Sequence, residues 1–197
     1  MKKLLLFLLV TGFSFLGLAQ QNQGSSVRKM LDNATRVKYE WDYANRVEFR
    51  SGIGEKARFT PATITDLNTG EVTKALYVEL YVKASSMPSL NNALRSNDYY
   101  AYAWVSIDEV KKLIDFLEKY VVPNLQTKLV KKEIHYDIRA TEMTISYHII
   151  NSIRKFYIQL NDYNNGNVNF NAYTFWTSTQ INKIPELIEK LKTLVNS

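Results

Sequence analysis

The sequence predicts an α+β fold: a duplicated antiparallel β-sheet-plus-helix unit, about ββββα twice, packed into one compact body. Three observations carry this. Apolar residues alternate at period two through residues 35–105 and again through 134–172. Each alternating stretch then gives way to an apolar stripe of helical period. The two stripes coincide without gaps at an offset of 74 positions, which places Ile107 on Ile181, Val110 on Ile184, Leu113 on Leu187, Ile114 on Ile188 and Leu117 on Leu191. Residues 35–125 form the first half and 126–197 the second.

The first half opens with Val37, Tyr39, Trp41 and Tyr43 facing one way and Arg36, Lys38, Glu40 and Asp42 the other, a half-buried strand. Ala44-Asn45 reads as a hairpin turn, and Val47 and Phe49 continue the pattern. Ala57 to Leu67, an Asn68-Thr69-Gly70 turn and a strand through Leu76, Val78, Leu80 and Val82 follow. Ser85 to Asn97, with Pro88, reads as a loop, and Tyr99 to Val105 as a strand. The helix that follows starts on a capping box, Ser106 with Glu109; Asp108 and Glu109 set negative charge on the positive end of its dipole, and Pro123 closes it. In the second half Ile134, Tyr136 and Ile138, then Met143, Ile145, Tyr147 and Ile149, then Phe156, Ile158 and Leu160 alternate. Asn164-Asn165-Gly166 reads as a hairpin turn, with Val168, Phe170 and Ala172 in a fourth strand. The closing helix holds Pro185, which fits a first turn capped by Asn182 or a kink in a helix begun at Ser178.

The N-terminus has the form of a secretory signal peptide over residues 1–19. Lys2 and Lys3 precede the apolar run Leu4 to Val10, and Gly17 and Ala19 put small residues at −3 and −1 of a cleavage site. The fully apolar run is shorter than the ~20 residues that span a bilayer. Residues 20–34 read as a flexible lead-in. The expectation is an exported protein, periplasmic or extracellular, with no membrane span after cleavage. The chain has no cysteine, which excludes a lipoprotein anchor, a disulfide framework and any thiolate chemistry. A composition 46% hydrophobic and 13% aromatic supports a packed core rather than disorder. Loss of Lys2 and Lys3 lowers the formal charge from +6 to +4, with acids and bases interspersed, so nucleic acid is not the expected partner.

Ser106-Ile107-Asp108-Glu109-Val110 with Leu113-Ile114, and Ile184 with Leu187-Ile188 and Leu191, resemble two helix motifs of a family of uncharacterised exported domains of bacterial envelopes. The first motif has the form (I/L)-D-x-D-E-(I/L)-x-x-L-I and the second L-x-x-L-I-x-x-(A/L)-x-x-x-L. The resemblance covers about residues 45–195 and departs at Ser106, which stands where an aspartate is expected. It implies the two-part sheet-and-helix fold and no activity. The order of strands and helix is also similar to that of Whirly-type and PUR-type single-stranded nucleic-acid proteins, a likeness of fold order that carries no function.

No phosphate loop, dinucleotide fingerprint, zinc helix or nucleophile elbow is present, so no catalytic residue and no cofactor is expected. Asp108 and Glu109 point about 100° apart on a helix, good for its dipole and poor for paired acid–base work. His135 and His148 lie on the polar phase of neighbouring strands and, with Asp137, are a weak candidate metal pair; the expected reading is a solvated sheet face. That polar face is the candidate ligand surface, with Tyr157, Tyr173, Asn169 and Arg139 as its binding residues: tyrosines stack on a sugar or pack on a peptide, while the amide and guanidinium hydrogen-bond. The function expected is a non-catalytic binding or interaction module of the cell envelope, with an unidentified envelope ligand or protein as partner and a glycan or peptide as the ligand class. The alternatives are a hydrolase-like enzyme with a carboxylate-based site, or a single-stranded nucleic-acid-binding-like fold put to another use.

Overall fold

The computed structural model describes residues 24–83, 99–128, 131–161 and 173–197. Residues 1–19, expected as a signal peptide, 85–97, expected as a loop, 164–166, expected as a turn, and 168–172, expected as a strand, lie outside the described residues. Two antiparallel sheets and three helices make an α+β fold. Helix α1 spans Ser26–Asn33. Strands β1 (Val37–Trp41), β2 (Val47–Arg50), β3 (Lys56–Asp66), β4 (Val72–Val82) and β5 (Tyr99–Ser106) form the first sheet. Helix α2 (Ile107–Phe116) runs on through a π turn to Val121 and a 3-10 turn holding Pro123. Strands β6 (Glu133–Arg139), β7 (Met143–Ile150), β8 (Ile153–Leu160) and β9 (Tyr173–Thr177) form the second sheet in sequence order. A 3-10 turn, Ile181–Lys183, leads into α3 (Ile184–Asn196), so Pro185 does sit in the first turn, with Lys183 rather than Asn182 at the cap. No helix of the described residues is long and apolar enough to cross a membrane.

Two expectations are corrected here. Residues 42–46 are not a hairpin turn, because β1 and β2 do not pair with each other. Both run along the same edge of β3, with Trp41 opposite Ala62 and Val47 opposite Phe59. The five residues between them face only Thr60 and Pro61, so the edge carries a wide bulge, folded as a 3-10 turn over Tyr43–Asn45. Pro61 explains its place. In an antiparallel strand a residue's N–H and C=O point to the same neighbour; the Pro61 carbonyl accepts from the Asp42 N–H at 2.9 Å, so the missing N–H faces the bulge. The second correction is that residues 24–34 are not a loose lead-in. Ser25 caps α1 by accepting from the Arg28 N–H at 3.2 Å, and Val27 is fully buried.

The inner faces of both sheets and one side of α2 and α3 share a single core. It joins Phe49, Phe59, Val78 and Leu80 of the first sheet, Ile145, Tyr147, Phe156 and Phe175 of the second, and Val110, Leu113, Leu187 and Leu191 of the helices. Phe49 and Phe156 meet across the sheets with ring centroids 5.3 Å apart. A smaller cluster on the outer face of the first sheet packs Val27 of α1 against Ala62, Ile64, Ala75 and Trp104. Ile150 and Ile153 flank the β7–β8 hairpin, whose two turn residues, Asn151 and Ser152, both have positive φ, as the twist of the strands requires.

Candidate functional site

The acidic residues that the sequence offers for chemistry are spent on structure. Glu109 Oε2 accepts the Ser106 N–H at 2.9 Å and hydroxyl at 2.8 Å, while Oε1 accepts the Thr141 N–H and hydroxyl, each at 2.7 Å. Burial opposes its charge, but the bonds from Thr141 and Ser106 outweigh it and hold the carboxyl below the usual carboxylate range. Asp108 pairs with Lys111 on the exposed helix surface at 3.2 Å. Glu142, which sequence reasoning missed, is fully buried and binds Arg28 at 2.8 Å. Burial opposes the Arg28 charge, the Glu142 carboxylate outweighs it, and the guanidinium is raised above its ordinary value.

The outer face of the second sheet is as polar as alternation predicts, and its aromatic residues touch in one row. The register sets His135 opposite His148, and the rings stack with centroids 3.8 Å apart and planes 5° apart. His148 leads on to Tyr157 at 4.6 Å, and Tyr157 to Trp176 at 6.5 Å, directly opposite it on β9. The row thus crosses all four strands. Lys155 Nζ lies 4.7 Å from the Trp176 ring centroid, and Trp176 is 43% exposed. Carboxylates flank the histidines, with Glu133 on His135 and Asp137 at 3.7 Å from His148. Burial and the neighbouring His135 push the His148 imidazole below its ordinary value, against the pull of Asp137.

The histidine pair is a stack rather than a ligand set. One ion bound by two imidazoles must lie near both ring planes, and planes 5° apart at this spacing do not converge on such a point. Among the described residues no group of three His, Cys, Asp or Glu is arranged to hold a metal ion. Of the four residues expected to bind ligand, Tyr157 lies in the row. Arg139 is exposed at the end of β6, where it also lines a cleft of about 200 Å³ with Lys112 and Thr141. Asn169 lies outside the described residues. Tyr173 stands opposite Leu160 at the start of β9, and the described outward side chains of that strand are Thr174 and Trp176. Phe175, with no polar atom, takes the core position, and Trp176 keeps its indole at the surface.

The outer face of the first sheet holds the larger aromatic assembly. Trp41 and Trp104 stack at 5.6 Å, Tyr39 stacks on Trp41 at 5.8 Å, and Tyr77 meets Trp41 at 4.8 Å and Trp104 at 4.9 Å. Burial pushes the Tyr77 phenol up to about 12. Beside this assembly an open cleft of about 260 Å³ is lined by Trp41, Tyr43, Arg46, Arg58, Thr60, Tyr77 and Glu79. No protein-family model matches the chain, and none of the curated proteins matches it in sequence.

Proposed function

We propose that this protein is an exported, non-catalytic binding module that takes a glycan across the exposed face of its second sheet. The observation that carries this is the row His135, His148, Tyr157 and Trp176 across a four-stranded surface. The stacked histidines cover each other's faces and present edges and nitrogens, while Tyr157 and Trp176 offer ring surface to the C–H faces of sugars, and the half-buried Thr144, Ser146 and Gln159 around them can hydrogen-bond to hydroxyls. Such a surface is open, so modest affinity is expected. The test is a glycan array run beside an unstructured single-stranded oligonucleotide. Wild type is expected to bind glycans, and the double variant Tyr157→Ala/Trp176→Ala to lose that binding while its thermal midpoint stays within a few degrees. A double variant that binds as wild type removes the row from the site, and preference for the oligonucleotide replaces the glycan reading with a nucleic-acid one.

Export rests on the charged, apolar and small-residue order of residues 1–19. Intact-mass analysis of protein recovered from the envelope fraction is expected to give a chain beginning at Gln20. A mass that includes residues 1–19 overturns cleavage.

A further inference from the structure

We infer that the cleft on the outer face of the first sheet is a second ligand site, built for a single acidic sugar residue. It lies on the far side of the molecule's core from the aromatic row and does not depend on it. The inference starts from charge. The cleft is lined by two arginines, and Arg58 is neutralised: it bonds to Glu48 at 2.8 Å and to Glu79 at 2.6 Å, while Arg50, outside the lining, shares Glu48 at 2.6 Å. Arg46 differs. Among the described residues no carboxylate pairs with it; its guanidinium rests 4.2 Å from the centroid of the Tyr43 ring, and its buried Nε has no hydrogen-bond acceptor. A buried N–H left without an acceptor is destabilising; Arg154 Nε is in the same state, but its guanidinium already donates to the Leu125 carbonyl at 2.7 Å, whereas Arg46 borders the open cleft. Tyr43 is 61% exposed at the tip of the β1–β2 bulge, so ring and guanidinium can swing together without disturbing the core.

The walls define the rest of the ligand. Trp41 and Tyr77 give aromatic surface, and Thr60 and Glu79 supply a hydroxyl and a carboxylate for sugar hydroxyls. The volume of about 260 Å³ is below the range of about 300–1,000 Å³ typical of pockets for drug-sized ligands, so the occupant is one ring with its substituents. One uncompensated guanidinium calls for one negative charge, and a carboxylate matches its fork with two parallel hydrogen bonds. A pyranose carrying a carboxylate, a uronic acid residue, meets all three demands.

Ligand-detected NMR with methyl glucuronide and methyl glucoside as probes tests this. The glucuronide is expected to bind at millimolar concentration and the glucoside at least about tenfold more weakly. Arg46→Met is expected to abolish glucuronide binding, and Arg46→Lys, which keeps the charge and loses the fork, to weaken it. Trp176→Ala is expected to leave it unchanged, which separates this site from the row on the second sheet. Circular dichroism of each variant reports folding, and Arg46→Lys carries the test if Arg46→Met does not fold. Equal binding of the two probes, no binding of the glucuronide, or full binding by a folded Arg46 variant overturns the inference.

Discussion

Replacing Glu142 by alanine is expected to destabilise the protein by about 3–5 kcal/mol, the cost of breaking a buried ion pair by removing one partner. Five donors converge on this carboxylate: the Ser25 N–H at 3.2 Å and hydroxyl at 2.9 Å, Arg28 Nε at 3.3 Å and Nη2 at 2.8 Å, and the Trp104 N–H at 3.0 Å. They come from α1 and from the edge strand β5, while Glu142 itself stands in the β6–β7 turn. One side chain therefore fastens α1 and the β5 side of the first sheet to the second sheet. Alanine leaves the Arg28 guanidinium and the Trp104 N–H half-buried or buried without an acceptor. Equilibrium urea unfolding measures the loss, and limited proteolysis should show residues 24–34 cut first in the variant. Replacing both partners, Glu142→Leu with Arg28→Met, is expected to recover part of the stability, because no unpaired charge then stays buried. A loss below about 1 kcal/mol for the alanine variant would mean that water reaches the site and the pair is ornamental.

Glu142 also marks where sequence reasoning reaches its limit. The start of α2 was legible because its cap is local: Ser106 and Glu109 are three residues apart and bond to each other. The β7 and β8 strands were legible because their buried rows, Met143 to Ile149 and Phe156 to Leu160, are strictly alternate. Helix α1 was not, since its polar sequence has only Val27, Met30 and Leu31 to bury and its anchor lies more than a hundred residues away. The β1–β2 bulge was mistaken for a hairpin because a short turn between alternating stretches looks the same whether the strands fold back or run on. In β9, adjacent Phe175 and Trp176 are both large and aromatic, so alternation does not say which is inside. The polar face of the second sheet and the approach of the two histidines were visible from phase alone. The cleft around Arg46 was not, because its lining is drawn from β1, β3, β4 and the bulge, and no spacing along the chain reveals that convergence.

Phe156→Ala, in the second half, is expected to lower the stability of the first half by the same amount as its own. Phe156 is fully buried, and its ring centroid lies 5.3 Å from that of Phe49 on the other sheet. Both belong to the one core that also takes the inner sides of α2 and α3. Removing a buried phenylalanine costs about 3–5 kcal/mol, through lost transfer energy and the cavity left behind. At roughly 2–4 °C per kcal/mol for a protein of this size, the thermal midpoint should fall by roughly 6–20 °C. Because the cavity opens where the sheets meet, the loss has no boundary at which to stop between the halves. Tryptophan placement makes this measurable: Trp41 and Trp104 lie in the first sheet and Trp176 in the second. In a Trp176→Phe background, fluorescence reports the first sheet alone while far-UV circular dichroism reports the whole chain. With Phe156→Ala added, both signals are expected to move together in a single transition. A fluorescence midpoint that stays in place while the circular dichroism splits in two would show that the halves unfold separately, and that the contact between Phe49 and Phe156 joins two domains rather than the core of one.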